Sequence, residues 1–356
     1  MALINEHFLK LQNNYLFSDI AKKVNSFKVT HPKKKIIRMG IGDVTQPLAP
    51  AVIEAMHKAV DEMASKDTFH GYGPEQGYPF LIDAIIKNDY ASRGIFLEPG
   101  EVFVSDGAKS DCGNIGDMLR HDNSIGVTDP VYPVYIDSNV MSGRTGTLEN
   151  GKWSDVVYIP CTEANNFVLD LPSRRVDIIY LCYPNNPTGA SASFEFFEKV
   201  VKFAKENEIL VVSDAAYAPL NFVGKPLSIF AVPGAKEVAV ELHSMSKGFN
   251  MTGWGLSWGC GNELAVKAFA NVKDNADSGQ FMAIQKAAIA ALDDQANITP
   301  MISEKYQRRL TSMVNTLKGL GFNAKVPAGS FYLYVKAPKA ASDGTAFATG
   351  EDFSQW

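Results

Sequence analysis

Cysteine, long apolar runs and positive charge are all scarce in this sequence. The four cysteines, Cys112, Cys161, Cys182 and Cys260, lack C-x-x-C spacing, which argues against a zinc site or a disulfide framework and favours a reducing compartment. No run of about 18 apolar residues occurs and the polar N-terminus has no signal-peptide core, so we expect a cytoplasmic protein without a membrane span. The net charge of -5 offers no positive field to a nucleic acid, which argues against that partner.

The chain is long enough for two lobes, because it has 356 residues and single cores stop growing at roughly 250–300. Between about residues 97 and 260, short runs rich in β-branched residues alternate with helical patterns. This alternation is typical of an α/β fold with a mostly parallel central sheet flanked by helices. The runs are EVFVSD, SIGVTDP, VVYIP, VDIIYLCYP, EILVVSDAAY, EVAVELHSMS and LSWGCG.

Other segments predict helices, a tight loop and one more strand. Apolar residues recur at spacings of three and four over 194–207, which indicates an amphipathic helix, and 49–65 shows a similar pattern. The loop GYGPEQGYP at 71–79 is so rich in glycine that its backbone either turns sharply or is approached closely. FYLYVKAP at 331–338 predicts a strand, and a helix is expected to begin at Glu351.

Polar residues follow two of the predicted strands, at the edge where open α/β sheets bind ligands. Lys247 stands just past VAVEL, where an amine can be desolvated and reach an aldehyde, although a lone lysine there is more often a solvated surface residue. Asp214 ends the run ILVVSD, with Tyr217 three residues on. Its carboxylate could hold a pyridine nitrogen protonated, or it could simply cap a helix.

Three further segments stand at strand ends. Asn186 lies in PNNPTG, a turn that presents an amide side chain. In DGAK, the backbone N–H groups of Ala108 and Lys109 open a helical segment and form an anion site that fits a phosphate. Tyr132, in DPVYP, could stack on a flat ring or be an ordinary buried aromatic.

Together these segments resemble the fold-type I pyridoxal-phosphate aminotransferases, and within them the LL-diaminopimelate aminotransferases. The likeness runs from about Phe8 to the end of the chain. PNNPTG and S-x-S-K are shared by many aminotransferases, whereas DGAKSDCG and NVMSGRTG are the narrower signal. The other matching segments are GIGDVTQPL at 40–48, HGYGPEQGY at 70–78, DPVYPVYIDSNVMSGRTG at 129–146 and DIIYLCYPNNPTGA at 177–190.

The resemblance implies pyridoxal 5'-phosphate as the cofactor and a role for each matching residue. Lys247 would bind the cofactor covalently and move a proton at the substrate α-carbon, so it is the predicted catalytic residue. Asp214 would pair with the ring nitrogen. Asn186 and Tyr217 would contact the ring oxygen, Tyr132 would stack on the ring, and the phosphate would be held by Ala108, Lys109, Ser244, Ser246 and, from a neighbouring subunit, Tyr72.

The resemblance also implies the substrates and a homodimer. The amino group of LL-2,6-diaminopimelate would pass to the 2-oxo acid 2-oxoglutarate, in lysine biosynthesis. The residues expected to contact substrate are Tyr15, Gly42, Lys109, Tyr132, Asn186 and the partner-supplied Glu75. We divide the chain into an N-terminal arm with part of a small α+β domain (1–44), a large cofactor-binding domain (45–292), and a linking helix with an incomplete small domain (293–356).

The sequence departs from the family pattern at two places. Gly255 stands where the superfamily has an arginine that clamps the cofactor phosphate. The arginine that grips the substrate α-carboxylate belongs to a C-terminal region beyond Trp356, so we expect a shortened small domain, and Arg308 and Arg309 are expected to be surface charges. Three alternatives stay open: another amino-acid aminotransferase, a pyridoxal-phosphate C–S lyase, and a catalytically impaired fragment or paralogue.

Overall fold

The computed structural model describes residues 2–11, 16–37, 39–40 and 42–356. The strands of this part are β1 (Val102–Ser105), β2 (Ile125–Asp129), β3 (Leu148–Glu149), β4 (Lys152–Trp153), β5 (Val156–Pro160), β6 (Ile178–Cys182), β7 (Leu210–Asp214), β8 (Ala239–Ser244) and β9 (Ser257–Gly261). The helices are α1 (Glu6–Lys10), α2 (Leu16–Thr30), α3 (Pro50–Asp61), α4 (Pro79–Ile85), α5 (Ala108–Asn114), α6 (Val134–Met141), α7 (Phe194–Asn207), α8 (Met245–Gly248), α9 (Glu263–Ala276), α10 (Met282–Asp293), α11 (Gln295–Gly319) and α12 (Gly350–Gln355). None of these helices combines the length and the apolarity that a membrane crossing needs.

Seven strands form one central sheet in the order β1-β9-β8-β7-β6-β2-β5. Strand β9 runs antiparallel to both of its neighbours, and the other adjacent pairs are parallel. Every residue of β1, β6, β8 and β9 is buried, because helices cover both faces of the sheet, and this explains the continuous apolar runs in the sequence. All seven predicted runs are strands, so the expected mostly parallel sheet is confirmed.

The helices flank the sheet through narrow apolar faces. In α10 the fully buried Ala283, Ala287 and Ala291 recur every four residues, so one face is small enough for α3 to pack closely against it. Helix α7 has the bounds that its periodicity predicts, and α3 with the short turn after it confirms the helix expected over 49–65.

The predicted strand at 331–338 is wrong. The segment is extended, but no other segment of the described chain pairs with it, and residues 333–337 make no backbone hydrogen bond there. Alternating aromatic and β-branched residues favour a pleated surface, but a strand forms only where a neighbour completes the ladder. Helix α12 does confirm the helix expected near Glu351.

Helix α11 follows α10 after one residue and turns a single apolar face inward. Its buried apolar residues recur at about four-residue spacing: Ile298, Ile302, Tyr306, Leu310 and Val314. Arg308 and Arg309 fall between them and are exposed, as expected of surface charges. The division of the chain at residues 44 and 292 stays a prediction.

Candidate active site

Three serines lie side by side where β1 and β8 end and the antiparallel β9 begins. The strand register pairs Ser105 with Ser257, and Ser257 with Ser244. The Ser105 and Ser257 hydroxyls are 2.6 Å apart, and both lie within hydrogen-bond distance of Asp111 Oδ2, at 2.6 and 3.0 Å. Because Asp111 belongs to α5, these bonds hold the start of α5 against this end of the sheet.

This arrangement brings two helix starts together. Ala108 and Lys109 are the first two residues of α5, and Ser244 caps α8, where its Oγ accepts from the backbone N–H of Ser246 at 3.1 Å. The first N–H groups of a helix have no acceptor inside it and carry partial positive charge. Backbone N–H groups and serine hydroxyls form a donor set that suits a phosphate, so the predicted phosphate residues of α5 and α8 fit that group.

Lys247 lies three residues past the end of β8, with its amine turned into the protein. Its Nζ donates to the Gly42 carbonyl oxygen at 3.4 Å and lies 5.5 Å from the centre of the Phe331 ring. Burial lowers the pKa of Lys247, and the charges of Asp43 and Asp214 only partly oppose that shift. A lowered pKa increases the fraction of neutral amine, which is the form that attacks an aldehyde.

Asp214 ends β7 and is 6% exposed. Its Oδ1 accepts from the backbone N–H of Ala216 at 3.0 Å, and its Oδ2 accepts from the hydroxyl of Tyr135 at 2.5 Å. Burial raises the pKa of Asp214, and the hydrogen bond from Tyr135 is the largest effect in the opposite direction. The charge of Lys247 also acts on Asp214, so the structure brings the two central predicted residues together.

Aromatic side chains wall the space beside the Lys247 amine. The Tyr217 hydroxyl lies 3.2 Å from that of Tyr332, and the Tyr217 ring meets the Phe331 ring edge-on at 5.5 Å. A Cβ on Gly42 would overlap the Tyr332 hydroxyl, so the close approach requires glycine and places Gly42 at the site. Sequence reasoning missed Phe331 and Tyr332, because it assigned them to a strand.

The PNNPTG turn is built by Asn185 and leaves Asn186 available. The buried Asn185 Oδ1 accepts from both the backbone N–H and the hydroxyl of Thr188, at 3.0 and 2.8 Å. Asn186 is half-buried, and within the described chain its side chain makes no hydrogen bond, so its amide is free to bind a ligand oxygen. Tyr132 is also half-buried and lies edge-on to Tyr135 at 5.6 Å, which puts it on the Asp214 side of the site.

Two predicted residues of the described chain, both on one loop, are not brought to Lys247. Tyr72 is 93% exposed on the loop between α3 and α4. Glu75, on the same loop, is exposed and accepts from the backbone N–H of Gly279 at 2.9 Å. Tyr15 lies outside the described residues.

Gly255 has a left-handed backbone, with φ of +64°, and lies against the loop that starts α5. A Cβ at this position would lie 3.3 Å from the Asp106 carbonyl oxygen. The nearby buried cation Lys273 does not replace a missing arginine, because its Nζ already pairs with Asp106 Oδ1 at 2.7 Å and with Asp277.

Asp111→Asn is expected to change how stability depends on pH. Burial raises the pKa of Asp111 to about 7, and its Oδ1 has no hydrogen-bond partner. The folded state therefore holds a proton that the unfolded chain releases near pH 4, so the free energy of unfolding falls as pH rises from about 4 to 7. An asparagine still accepts from Ser105 and Ser257 but has no charge to bury.

Urea unfolding of the cofactor-free protein measures this effect. The Asp111→Asn variant should exceed the parent in unfolding free energy by about 1 kcal/mol or more near pH 8, and by less near pH 5. Asp117→Asn, an exposed change in the next turn, is the matched control. An Asp111→Asn advantage of equal size at both pH values would contradict the assigned cause.

A cavity of about 1180 Å³ lies beside this site rather than in it. Its walls come from residues 161–168, 188–191 and 323–354, and neither Lys247 nor Asp214 lines it. Residues 333–339 line the cavity, whereas Phe331 and Tyr332 contact Tyr217. The extended segment 331–338 thus forms the boundary between the two spaces, and chemistry rather than size identifies the site.

Comparison with known proteins agrees with the resemblance found in the sequence. The model of the family described as aminotransferase class I and II matches residues 34–355. A protein of Parabacteroides distasonis described as LL-diaminopimelate aminotransferase is 79% identical over 254 residues, which cover 71% of this chain and 62% of the relative. One of Bacteroides thetaiotaomicron with the same description is 51% identical over 98% of this chain and 88% of the relative.

A solved structure extends this likeness to the fold. The L,L-diaminopimelate aminotransferase from Chlamydomonas reinhardtii has a TM-score of 0.87 and 33% identity, covering 95% of this chain and 85% of that one. The chain spans about three fifths of the length of the first curated relatives that it matches, since those alignments cover 62% of each.

Proposed function

The chain belongs to the class I and II aminotransferase family, and from that premise we propose that it transfers the amino group of LL-2,6-diaminopimelate to 2-oxoglutarate. Tetrahydrodipicolinate and glutamate would be the products. The observation that carries the reaction class is the half-buried amine of Lys247 beside the buried carboxyl of Asp214, past the ends of neighbouring strands. The donor rests on the relatives described as LL-diaminopimelate aminotransferases.

Pyridoxal phosphate is the cofactor of this family, and when bound it supplies an electron sink for the substrate α-carbon. The Lys247 amine would bind the cofactor aldehyde and then carry a proton to and from the α-carbon. The Asp214 carboxylate would keep the ring nitrogen protonated, because a negative charge in a buried site stabilises an adjacent positive one. Asn186 and Tyr217 would orient the ring through its oxygen, and Tyr132 would cover one face.

The phosphate would lie between the starts of α5 and α8, bound by Ala108, Lys109, Ser244 and Ser246. Gly255 contributes no cation there. We expect Gly255→Arg to tighten cofactor binding by about 10- to 100-fold, since a charge-assisted hydrogen bond contributes about 1.5–3 kcal/mol. The left-handed backbone at Gly255 costs an arginine about 1–2 kcal/mol, but this strain is present with and without cofactor and cancels from the affinity.

Gly255→Ala is the control for this prediction, because it adds the Cβ and the backbone strain without the charge. Titration of the cofactor-free proteins with pyridoxal phosphate gives the affinities, and urea unfolding gives the stabilities. Both variants should lose similar unfolding free energy, and only Gly255→Arg should gain affinity. Equal affinities for the two variants would show that a side chain here does not reach the phosphate.

The proposal includes a cytoplasmic homodimer in which Tyr72 and Glu75 complete the partner's site. It is supported by the 93% exposure of Tyr72, which leaves a large aromatic ring available for contact with another molecule. The exposed Phe281 lies on the segment that the Glu75 carboxylate contacts, which adds apolar surface to the same patch. All four cysteines are free thiols, which suits a reducing compartment.

The absorbance of the protein with bound pyridoxal phosphate tests the proposed reaction. Addition of LL-2,6-diaminopimelate alone should convert the cofactor to its amino form, and 2-oxoglutarate should then convert it back with release of glutamate. Conversion by a different amino acid only would indicate another aminotransferase. Release of pyruvate without any 2-oxo acid would indicate a C–S lyase, and cofactor binding without conversion by any donor would indicate an impaired protein.

A further inference from the structure

The Asp214 carboxylate accepts a hydrogen bond from one distant side chain in the described structure. Of its two hydrogen bonds in the described structure, the one from the Ala216 backbone is local, two residues away. The other comes from the hydroxyl of Tyr135 in α6, 79 residues earlier in the chain, at 2.5 Å. Building on the proposed function, we propose that Tyr135 is a positioning residue, whose hydroxyl keeps Asp214 ionised and aimed at the cofactor ring nitrogen.

The Tyr135 ring is itself held firmly. It is 2% exposed and stacks on Tyr180 in β6, with ring centres 5.3 Å apart and planes 12° from parallel. Asn139 joins the two tyrosines, since its Nδ2 donates to the Tyr135 carbonyl oxygen at 2.7 Å and to the Tyr180 hydroxyl at 3.1 Å. The hydroxyl of Tyr135 can therefore hold one position relative to β7.

The anchoring extends one step further, to a buried cation. Arg144 is 4% exposed and donates to Asn139 Oδ1 at 3.3 Å. Its other N–H groups donate to backbone carbonyl oxygens of Gly116, Leu119 and Arg120. With four of its five donors used, this guanidinium fixes Asn139, and through it the stacked tyrosine pair, to the segment that follows α5.

The Tyr135 hydroxyl affects the ionisation of Asp214. Burial raises the pKa of Tyr135 well above its usual range, and the nearby Asp214 charge adds to that shift, so Tyr135 stays a proton donor at any working pH. Burial also raises the pKa of Asp214, and the bond from Tyr135 opposes this rise more than any other contact. Removal of the hydroxyl should therefore favour the protonated acid at Asp214.

Other titratable groups around Asp214 keep their own interactions with it when Tyr135 changes, and one of them, Cys182, also interacts with the Tyr135 hydroxyl. Lys247 on α8 and His243 on β8 lower the pKa of Asp214 through their charges. The remaining groups that interact with it are Cys112 on α5, Cys182 on β6 and Tyr217 after β7. Each of these interactions with Asp214 is present in both the parent and a Tyr135 variant. A difference in cofactor affinity between the two proteins therefore measures the effect of the Tyr135 hydroxyl.

Tyr135→Phe, with Tyr180→Phe as the matched control, tests the inference. Both changes remove one buried hydroxyl and keep the stacked rings, but only the first removes a donor to Asp214. The measurement is the dissociation constant of pyridoxal phosphate from the cofactor-free protein across a pH series. Tyr135→Phe should weaken binding about 10-fold or more near neutral pH, because a larger fraction of Asp214 is then protonated and cannot balance a charged ring nitrogen, whereas Tyr180→Phe should match the parent.

The pH dependence of cofactor affinity distinguishes an effect on the Asp214 charge from a general effect on packing. Affinity should fall on acidification as Asp214 becomes protonated and can no longer balance a charged ring nitrogen. Without the Tyr135 hydroxyl the pKa of Asp214 rises, so this fall should occur at higher pH in Tyr135→Phe than in the parent. An unmoved pH profile in Tyr135→Phe, or the same displacement in Tyr180→Phe, would overturn the assignment.

Asp214→Asn provides a second route, because it shows the effect of Tyr135→Phe in a protein that lacks the Asp214 charge. If the hydroxyl acts through the carboxylate charge, adding Tyr135→Phe to Asp214→Asn should change cofactor affinity by no more than about twofold. A further large loss in the double variant would refute the inference. If the parent protein binds no pyridoxal phosphate through Lys247, the proposed function itself is wrong. If the parent binds the cofactor and Tyr135→Phe binds it with the same affinity at every pH, only the proposed role of Tyr135 is wrong.

Discussion

Replacing Lys247 with alanine is expected to lower the rate of amino transfer by roughly 10⁴-fold or more. The side chain has two tasks in the proposed reaction, since its amine binds the cofactor and also moves a proton at the substrate α-carbon. Loss of a positioned general base alone costs about 10²–10⁴-fold, and loss of the covalent attachment adds to it. Steady-state rates with LL-2,6-diaminopimelate and 2-oxoglutarate measure the combined effect.

The Lys247→Ala protein should fold at least as well as the parent. Burial lowers the pKa of Lys247, which means that the folded state disfavours the charged amine, and alanine removes that cost. The unfolding midpoint of the cofactor-free variant should therefore equal or exceed that of the parent. Lys267→Ala, an exposed change on α9, is the control and should leave rates unaltered. A Lys247→Ala variant that retains turnover and the absorbance of lysine-bound cofactor would disprove the assignment.

The central sheet could be predicted because its strands are buried on both faces. A strand such as β6, with five consecutive buried residues, shows in the sequence as an unbroken apolar run, and the turn after it shows as PNNPTG. Residues just past such runs gather at one edge of the sheet, so Lys247 and Asp214 could be expected together before any coordinates.

Contacts between distant segments could not be predicted in the same way. Tyr132 and Tyr135 are three residues apart in DPVYPVY, and nothing local tells which hydroxyl reaches Asp214 across 79 residues. The segment 331–338 carries the residue pattern of a strand, but the pattern does not reveal whether another segment pairs with it. Its first two residues lie at the site instead, where the lack of a side chain at Gly42 makes room for Tyr332.

Asp214→Asn is expected to lower kcat by about 10²–10³-fold, because removal of one preorganised electrostatic contact to the reacting group has that effect in buried sites. The amide has the size of the carboxylate, and its single oxygen can still accept from either Tyr135 or the Ala216 backbone, so the site keeps most of its shape. It carries no negative charge to keep the ring nitrogen protonated. The cofactor should remain attached through Lys247. Its absorbance in the variant therefore shows whether a lower kcat comes from the missing charge or from missing cofactor.

The division of the effect between kcat and KM identifies its cause. Because Asp214 is proposed to contact the cofactor ring rather than the substrate, Asp214→Asn should lower kcat and kcat/KM together and leave KM within about twofold of the parent. Asp129→Asn at the end of β2 is the matched control, since it also changes a strand-end aspartate but one that is partly exposed and paired with Lys152. Its kcat should stay within about twofold of the parent. A large rise in KM with unchanged kcat for Asp214→Asn would mean that Asp214 binds the substrate, so the ring nitrogen would need a different partner.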